Sequence, residues 1–233
     1  MPTDDVLAIV GRADELYRNR ARAGSVRESV MVLSGALRSE ERYEVQWRLS
    51  RALFFLGQEA ATRDDRVQLH QSGIEAGKRA IALNQERVEG HFWAGVNLAL
   101  FAEARRRLAA IRAVLWARSE LRLAIRIRES YHEAGPLRAL ARLEHQAPAL
   151  LGGSRKLSKQ HYDRALRVAP NNSVTLLYAA ELAEDAGDST RAVDLLKRLI
   201  ELPVDPDWEF EILRDKKLAE QMLARLDKDT GLA

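Results

Sequence analysis

One short phrase closes helix after helix along this chain, and its spacing restricts the fold more than any other feature. It reads "SGALRSE" at 34–40, "KRAIALNQ" at 78–85, "RLAIRIRE" at 122–129, "DRALRVAPNN" at 163–172 and "KRLIELPVD" at 197–205. Aligning Ala36, Ala80, Ala124, Ala165 and Leu199 separates the phrases by 44, 44, 41 and 34 residues. Periods of this size belong to helical-repeat arrays, where one helix pair cannot bury its own apolar face and depends on its neighbours. The last interval is the tetratricopeptide period.

Each phrase ends the second helix of a pair. The punctuation predicts pairs at 4–22 with 26–38, 41–58 with 66–83, 88–105 with 108–127, 135–145 with 155–168, and 173–186 with 189–202. "APNNS" supplies a proline stop and then Asn172 or Ser173 as N-cap, and "AGDST" places Gly187 at the turn and Ser189 ahead of the next helix. Ser50, Gly95, Ala141 and Ala180 on first helices, and Ala80, Ala124 and Ala165 on second ones, are small enough for backbones to approach closely. "HFWAGVNLALFAE" (91–103) is apolar nearly all round, which suits the middle of a stack covered on both sides. Residues 205–228 form one amphipathic helix, the expected C-terminal cap. The chain therefore reads as an all-α solenoid of about five helix pairs plus a cap, a single repeat domain over residues 1–233.

Composition agrees: 46% hydrophobic and 30% charged residues, with 13 Gly and 6 Pro in 233, suit a packed helical protein. The absence of cysteine removes disulfides, thiolate chemistry and thiolate-bound metal. No run approaches the roughly 20 apolar residues of a membrane-spanning helix. None of the five histidines sits in a metal-binding spacing, and no nucleophile elbow, Walker loop or dinucleotide fingerprint occurs. The reading is non-enzymatic, with no cofactor.

The net charge of +3 is unevenly spread. Residues 103–128 hold eight Arg against two Glu, whereas from Glu181 onward fourteen acidic residues face eight basic ones. Arg118, Arg122 and Arg126, four apart, form a basic stripe. Nucleic-acid recognition would want aromatics interleaved with the arginines, and Trp116 is the only one there, so a solvated or ion-paired stripe is the preferred reading. For a ligand or partner groove the candidates are His91, Trp93 and Asn97 on one first helix, Tyr131 and His132 opening the next pair, and Trp47 and Phe54 on the preceding one. An aromatic wall with a buried amide suits such a groove, while plain core packing is the competing reading. Leu150, Leu151, Gly152 and Gly153 make an apolar loop that serves either as cover for the array edge or as a flap or subunit contact.

Four passages resemble the tetratricopeptide-like T component of TRAP transporters. They are "WRLSRALFFLG" (47–57), "EGHFWAGVNLALFAE" (89–103), "AGPLRALARLEHQAPALLGGSRK" (134–156) and "PVDPDWEFEILRDKKLAEQML" (203–223). The resemblance implies a helical shell with a pore or groove, often a homotrimer, that helps pass a ligand, including a small hydrophobic one, to a substrate-binding P component. It implies a periplasmic location if a leader has been removed, and a cytoplasmic one otherwise. The alternative is a cytoplasmic scaffold that binds a partner peptide in its concave groove. A third reading is a nucleic-acid adaptor acting through the Arg stripe.

Overall fold

The computed structural model describes residues 3–37, 42–105 and 108–230, with side chains from Val6 to Leu226 apart from Leu108 and Ala109. The described residues form eleven α-helices, one 3-10 turn and no strand. The expected helix limits at Arg38 and Glu41, and Arg106 and Arg107 of the Arg run, lie outside the described residues. The chain falls into two compact units, residues 1–129 and 130–233.

The first unit contains α1 (Thr3–Arg18), α2 (Ser25–Ala36), α3 (Tyr43–Glu59), α4 (Arg63–Leu83), α5 (Val88–Ala104) and α6 (Leu108–Arg128). Each odd-numbered helix packs on the even one after it. The first helices also touch one another, α1 on α3 and α3 on α5, whereas α2, α4 and α6 make no mutual backbone contact among the described residues. α5 is buried on every side from Val88 to Leu98, as its apolar circumference requires. Side-chain size permits this closeness. A Cβ on Gly73 would stand 2.5 Å from Asn97 Oδ1, one on Gly77 would meet the Ala94 Cβ at 2.8 Å, and one on Gly95 would meet Leu121 Cγ at 2.9 Å. Ser50, Ala80, Ala117 and Ala124 are fully buried at the same seams.

The second unit contains α7 (Tyr131–Gln146), a 3-10 turn (Ala149–Leu151), α8 (Arg155–Val168), α9 (Ser173–Asp185), α10 (Ser189–Glu201) and α11 (Glu209–Thr230). Its core joins Tyr162, Leu176, Leu195, Leu196 and Leu199 to Ala219, Met222 and Leu226 of α11. That packing makes α11 the cover of the last pair. The starts of α8, α9 and α10 are capped by side chains: Ser154 Oγ accepts from Leu157 N, Asn172 Oδ1 from Thr175 N, and Asp188 Oδ1 from Arg191 N. The last cap is thus Asp188, one residue before the expected Ser189, because the carboxylate reaches the third helical N–H. In each unit a buried serine bonds the backbone of its partner helix: Ser50 Oγ on α3 donates to the Gly73 carbonyl of α4 at 2.7 Å, and Ser158 Oγ on α8 donates to the Ala141 carbonyl of α7 at 2.8 Å.

α7 departs from regularity where it starts. His132, Glu133 and Ala134 have φ of 52°, 52° and 58°, a single left-handed turn closed by Ala134 N donating to the Ser130 carbonyl. Right-handed helix begins at Gly135, as the sequence suggests, with Pro136 near its start, where a missing N–H costs little. Three L-residues in this region cost about 1–2 kcal/mol each, so surrounding contacts must hold them.

Candidate functional site

The polar residues of α3–α5 come together inside the first unit. Asn97, with no exposed surface, donates through Nδ2 to the Ser50 carbonyl at 3.0 Å and the Trp93 carbonyl at 2.9 Å. Its Oδ1 lies 3.0 Å from His70 Nδ1, so His70 donates there. Burial lowers the His70 pKa, partly offset by Asn97, and keeps the ring neutral. Trp93, 1% exposed, stacks obliquely on Phe54 with ring centroids 5.5 Å apart. Trp47 is buried too; its indole N–H donates to Glu44, and the Arg48 guanidinium lies 4.1 Å above its ring. The structure therefore places Trp93, Asn97 and Trp47 in the packing between helices, almost wholly enclosed from solvent. The half-buried Phe54 joins them through its ring contact.

His91 has a different role. Its Nδ1 lies 2.6 Å from Glu120 Oε2 and its Nε2 2.9 Å from the Gln85 carbonyl. Both neighbours are acceptors, so the ring is a double donor. Burial alone would lower its pKa, but the Glu120 carboxylate and the Gln85 carbonyl outweigh it and raise the value above that of ordinary imidazole. The other Glu120 oxygen accepts from Trp116 Nε1 at 2.7 Å, which fixes that indole on α6.

Trp116 stands on one wall of an open cleft of about 930 Å³. α4 forms the other wall with Gln71, Ile74, Glu75 and Lys78, and the C-terminal half of α5 the floor with Leu98 and Phe101. The floor is apolar and recessed, since Ile74, Leu98, Phe101 and Ala113 are all buried. The exposed rim carries Lys78, Arg105 and Arg112 against Glu75. Lys78 Nζ sits 4.7 Å above the Trp116 ring, and the Arg105 guanidinium 5.6 Å from that of Phe101. Along α6, Arg122 and Arg126 are exposed, whereas Arg118 is buried. Positions four apart advance about 40° past a full turn, so a stripe of three such residues rotates from the packed face to the wet one.

In the second unit Tyr131 and His132 are half-buried, and the His132 ring meets Trp208 edge to face at 4.8 Å. Beneath them lies the buried Arg138. It donates to the Glu133 carbonyl at 2.9 Å, Asn172 Oδ1 at 3.1 Å and Thr175 Oγ1 at 3.3 Å. Asn172 Nδ2 in turn donates to Glu133 Oε2 at 2.7 Å. Arg138 and Asn172 thereby clamp the left-handed turn, and burial lowers the Arg138 pKa. Sequence reasoning missed this clamp; Gly135 before Pro136, which disfavours helix upstream, is its only local signal. Leu150 projects from the 3-10 turn with 99% of its surface exposed. Leu151 is half-buried, Gly152 supplies φ 82°, and at Gly153 a Cβ would fall 1.7 Å from the Ala147 carbonyl oxygen, so only glycine fits.

Among the described residues no group of three or more His, Asp or Glu side chains could hold a metal ion, and no helix is long and apolar enough to cross a membrane. The fold is that of tetratricopeptide proteins. The crystal structure of TTC0263, a thermophilic TPR protein from Thermus thermophilus, superposes with a TM-score of 0.65 at 19% identity, covering 88% of this chain and 98% of that one. That of MamA gives 0.52 at 15% identity, covering 85% and 92%. No curated protein matches the sequence. A family model described as TRAP transporter T-component matches residues 47–228, from α3 into α11. The chain belongs to the TRAP transporter T-component family.

Proposed function

We propose that this protein is a non-enzymatic accessory of a TRAP transporter that binds the substrate-binding P component and assists ligand uptake. The observation that carries the reading is the family match over 47–228. It crosses the boundary between the two units, which supports treating 1–233 as one repeat domain. The chemistry of the surfaces fits a binding role: a cation-rimmed apolar cleft in the first unit, and a bare Leu150 and half-exposed Tyr131 and His132 in the second. In this reading Trp93, Asn97, Trp47 and Phe54 act indirectly, by holding α3, α4 and α5 in register, and His91 does so by tying α5 to α6 through Glu120.

The test is size-exclusion chromatography with light scattering on the protein mixed with its P component at micromolar concentration. A co-migrating complex of summed mass supports the proposal. Separate elution of both proteins, at low and at physiological salt, refutes it.

A further inference from the structure

We propose that the cleft between α4 and α6 is a docking groove for an acidic amphipathic helix of the partner protein. The inference rests on the reading of the protein as a partner-binding accessory and names the surface and the chemistry of the contact.

The cleft exists because second helices do not close on one another. Among the described residues α4 and α6 both pack on α5 but not on each other, which leaves a trough over the C-terminal half of α5. The second unit repeats the arrangement on a smaller scale. There α8 and α10 flank the end of α9 around a cavity of about 310 Å³, floored by Ala179, Leu182 and Ala183. Its rim is again basic, with Arg155, Lys156, Lys159 and Arg191 against Asp188. Two independent helix triplets thus place an apolar floor beneath a cationic rim at equivalent positions. In the second, Asp163 bonds both Lys159 and Arg191 directly. In the first, Lys78 meets Glu75 across a longer 3.6 Å. The larger cleft holds its rim cation more loosely and offers it to an incoming carboxylate.

Its dimensions select the occupant. From Gln71 to Lys78 the α4 wall spans eight residues, about 10 Å or two helical turns. A helix lying there would set apolar side chains at i, i+3 or i+4, and i+7 over Ile74, Leu98 and Phe101. Glu or Asp on its flanks would meet Lys78, Arg105 and Arg112. A bilayer surface is the wrong shape, because the apolar groups are recessed below the charges and a flat surface cannot reach them. A single acyl chain would stay half in water in so open a trough, whereas ligand pockets enclose most of their ligand.

The experiment uses fluorescence anisotropy with two labelled peptides of equal length and identical Leu spacing, one flanked by Glu and one by Lys, against the full chain and its Lys78→Glu/Arg112→Glu variant. Circular dichroism checks that the variant keeps its helicity. The acidic peptide is expected to bind in a salt-sensitive manner, the basic one not to bind, and the variant to weaken the acidic peptide about tenfold, as expected when two exposed ion pairs become repulsions. Equal affinity for both peptides, or unchanged affinity in the variant, overturns the proposal. So does variant-sensitive binding of phosphatidylglycerol vesicles or palmitate without peptide binding. The same variant mixed with the P component separates the two readings. A complex that forms as tightly with the variant as with the wild type removes the cleft and leaves the accessory role. Charge-dependent peptide binding with no P-component complex removes the accessory role and leaves the cleft.

Discussion

Single residues decide whether the α3–α4–α5 seam closes. Gly73 lies inside α4, where alanine would ordinarily add about 1 kcal/mol of helix propensity. The alanine methyl would stand 2.5 Å from an Asn97 oxygen, and Asn97 is pinned by hydrogen bonds to two other helices. The clash wins, so Gly73→Ala should cost about 1–3 kcal/mol. Gly35, exposed in α2 with nothing within 4 Å of a Cβ, should gain about 0.5–1 kcal/mol on the same change. Urea denaturation of the two variants, moving in opposite directions, checks the contrast. The two buried histidines should also oppose each other in pH dependence. The raised His91 pKa contributes stability that is fully present below the unfolded value near 6.5 and lost as pH rises through the folded value. The lowered His70 pKa contributes stability present above about 6.5 and lost as pH falls toward its folded value. His91→Gln should therefore cost more on the acid side of neutrality than on the alkaline side, and His70→Gln the reverse, read from denaturant midpoints across that range. The sequence shows that Asn97 is an amide in an apolar helix. It cannot show that Ser50 and His70, 47 and 27 residues away, supply its partners.

At the scale of elements, periodicity and punctuation carry most of the fold. The apolar circumference of 91–103 predicts burial on all sides, and α5 is buried so from Val88 to Leu98. The small residues Ser50, Ala80, Ala124, Ala141, Ala165 and Ala180 all lie at closed helix seams. The start of α7 is where local signals fail. "YHEAG" contains two good helix formers, Glu133 and Ala134, and nothing local demands positive φ at either. The left-handed turn is imposed by tertiary contacts from Arg138, Asn172 and Trp208, which no window of the sequence brings together. Arg138→Met should remove the clamp, taking a donor from the carbonyls of Glu133 and His132 and one of several from Asn172 Oδ1, at a cost of about 2–4 kcal/mol. Arg138→Lys should recover only part of this, because a single ammonium can stand in for Nη1 but not also for Nη2, which donates to the His132 carbonyl. Thermal denaturation measures the loss, and the near-UV signal of Trp208, isolated by comparison with Trp208→Phe, should flatten along with it.

For the whole molecule, the family and the repeat architecture are legible in the sequence because both are written in helix-length patterns that survive low identity. The proposed binding surface is legible only in part. Bulky aromatics draw attention in a sequence, yet Trp47 and Trp93 are enclosed, while the accessible cleft depends on Lys78, Arg105 and Arg112, ordinary surface cations whose convergence needs three helices in place. In the proposed function, stacked helix pairs keep their polar bonds inside and meet a partner with what remains outside. Hydrogen–deuterium exchange of the protein with and without the P component tests this most directly. Slowed exchange is expected along α4, α6 and the Leu150 loop, with α3 and the buried part of α5 unchanged. Protection confined to α3 and the buried part of α5, or none anywhere at saturating partner, would contradict it.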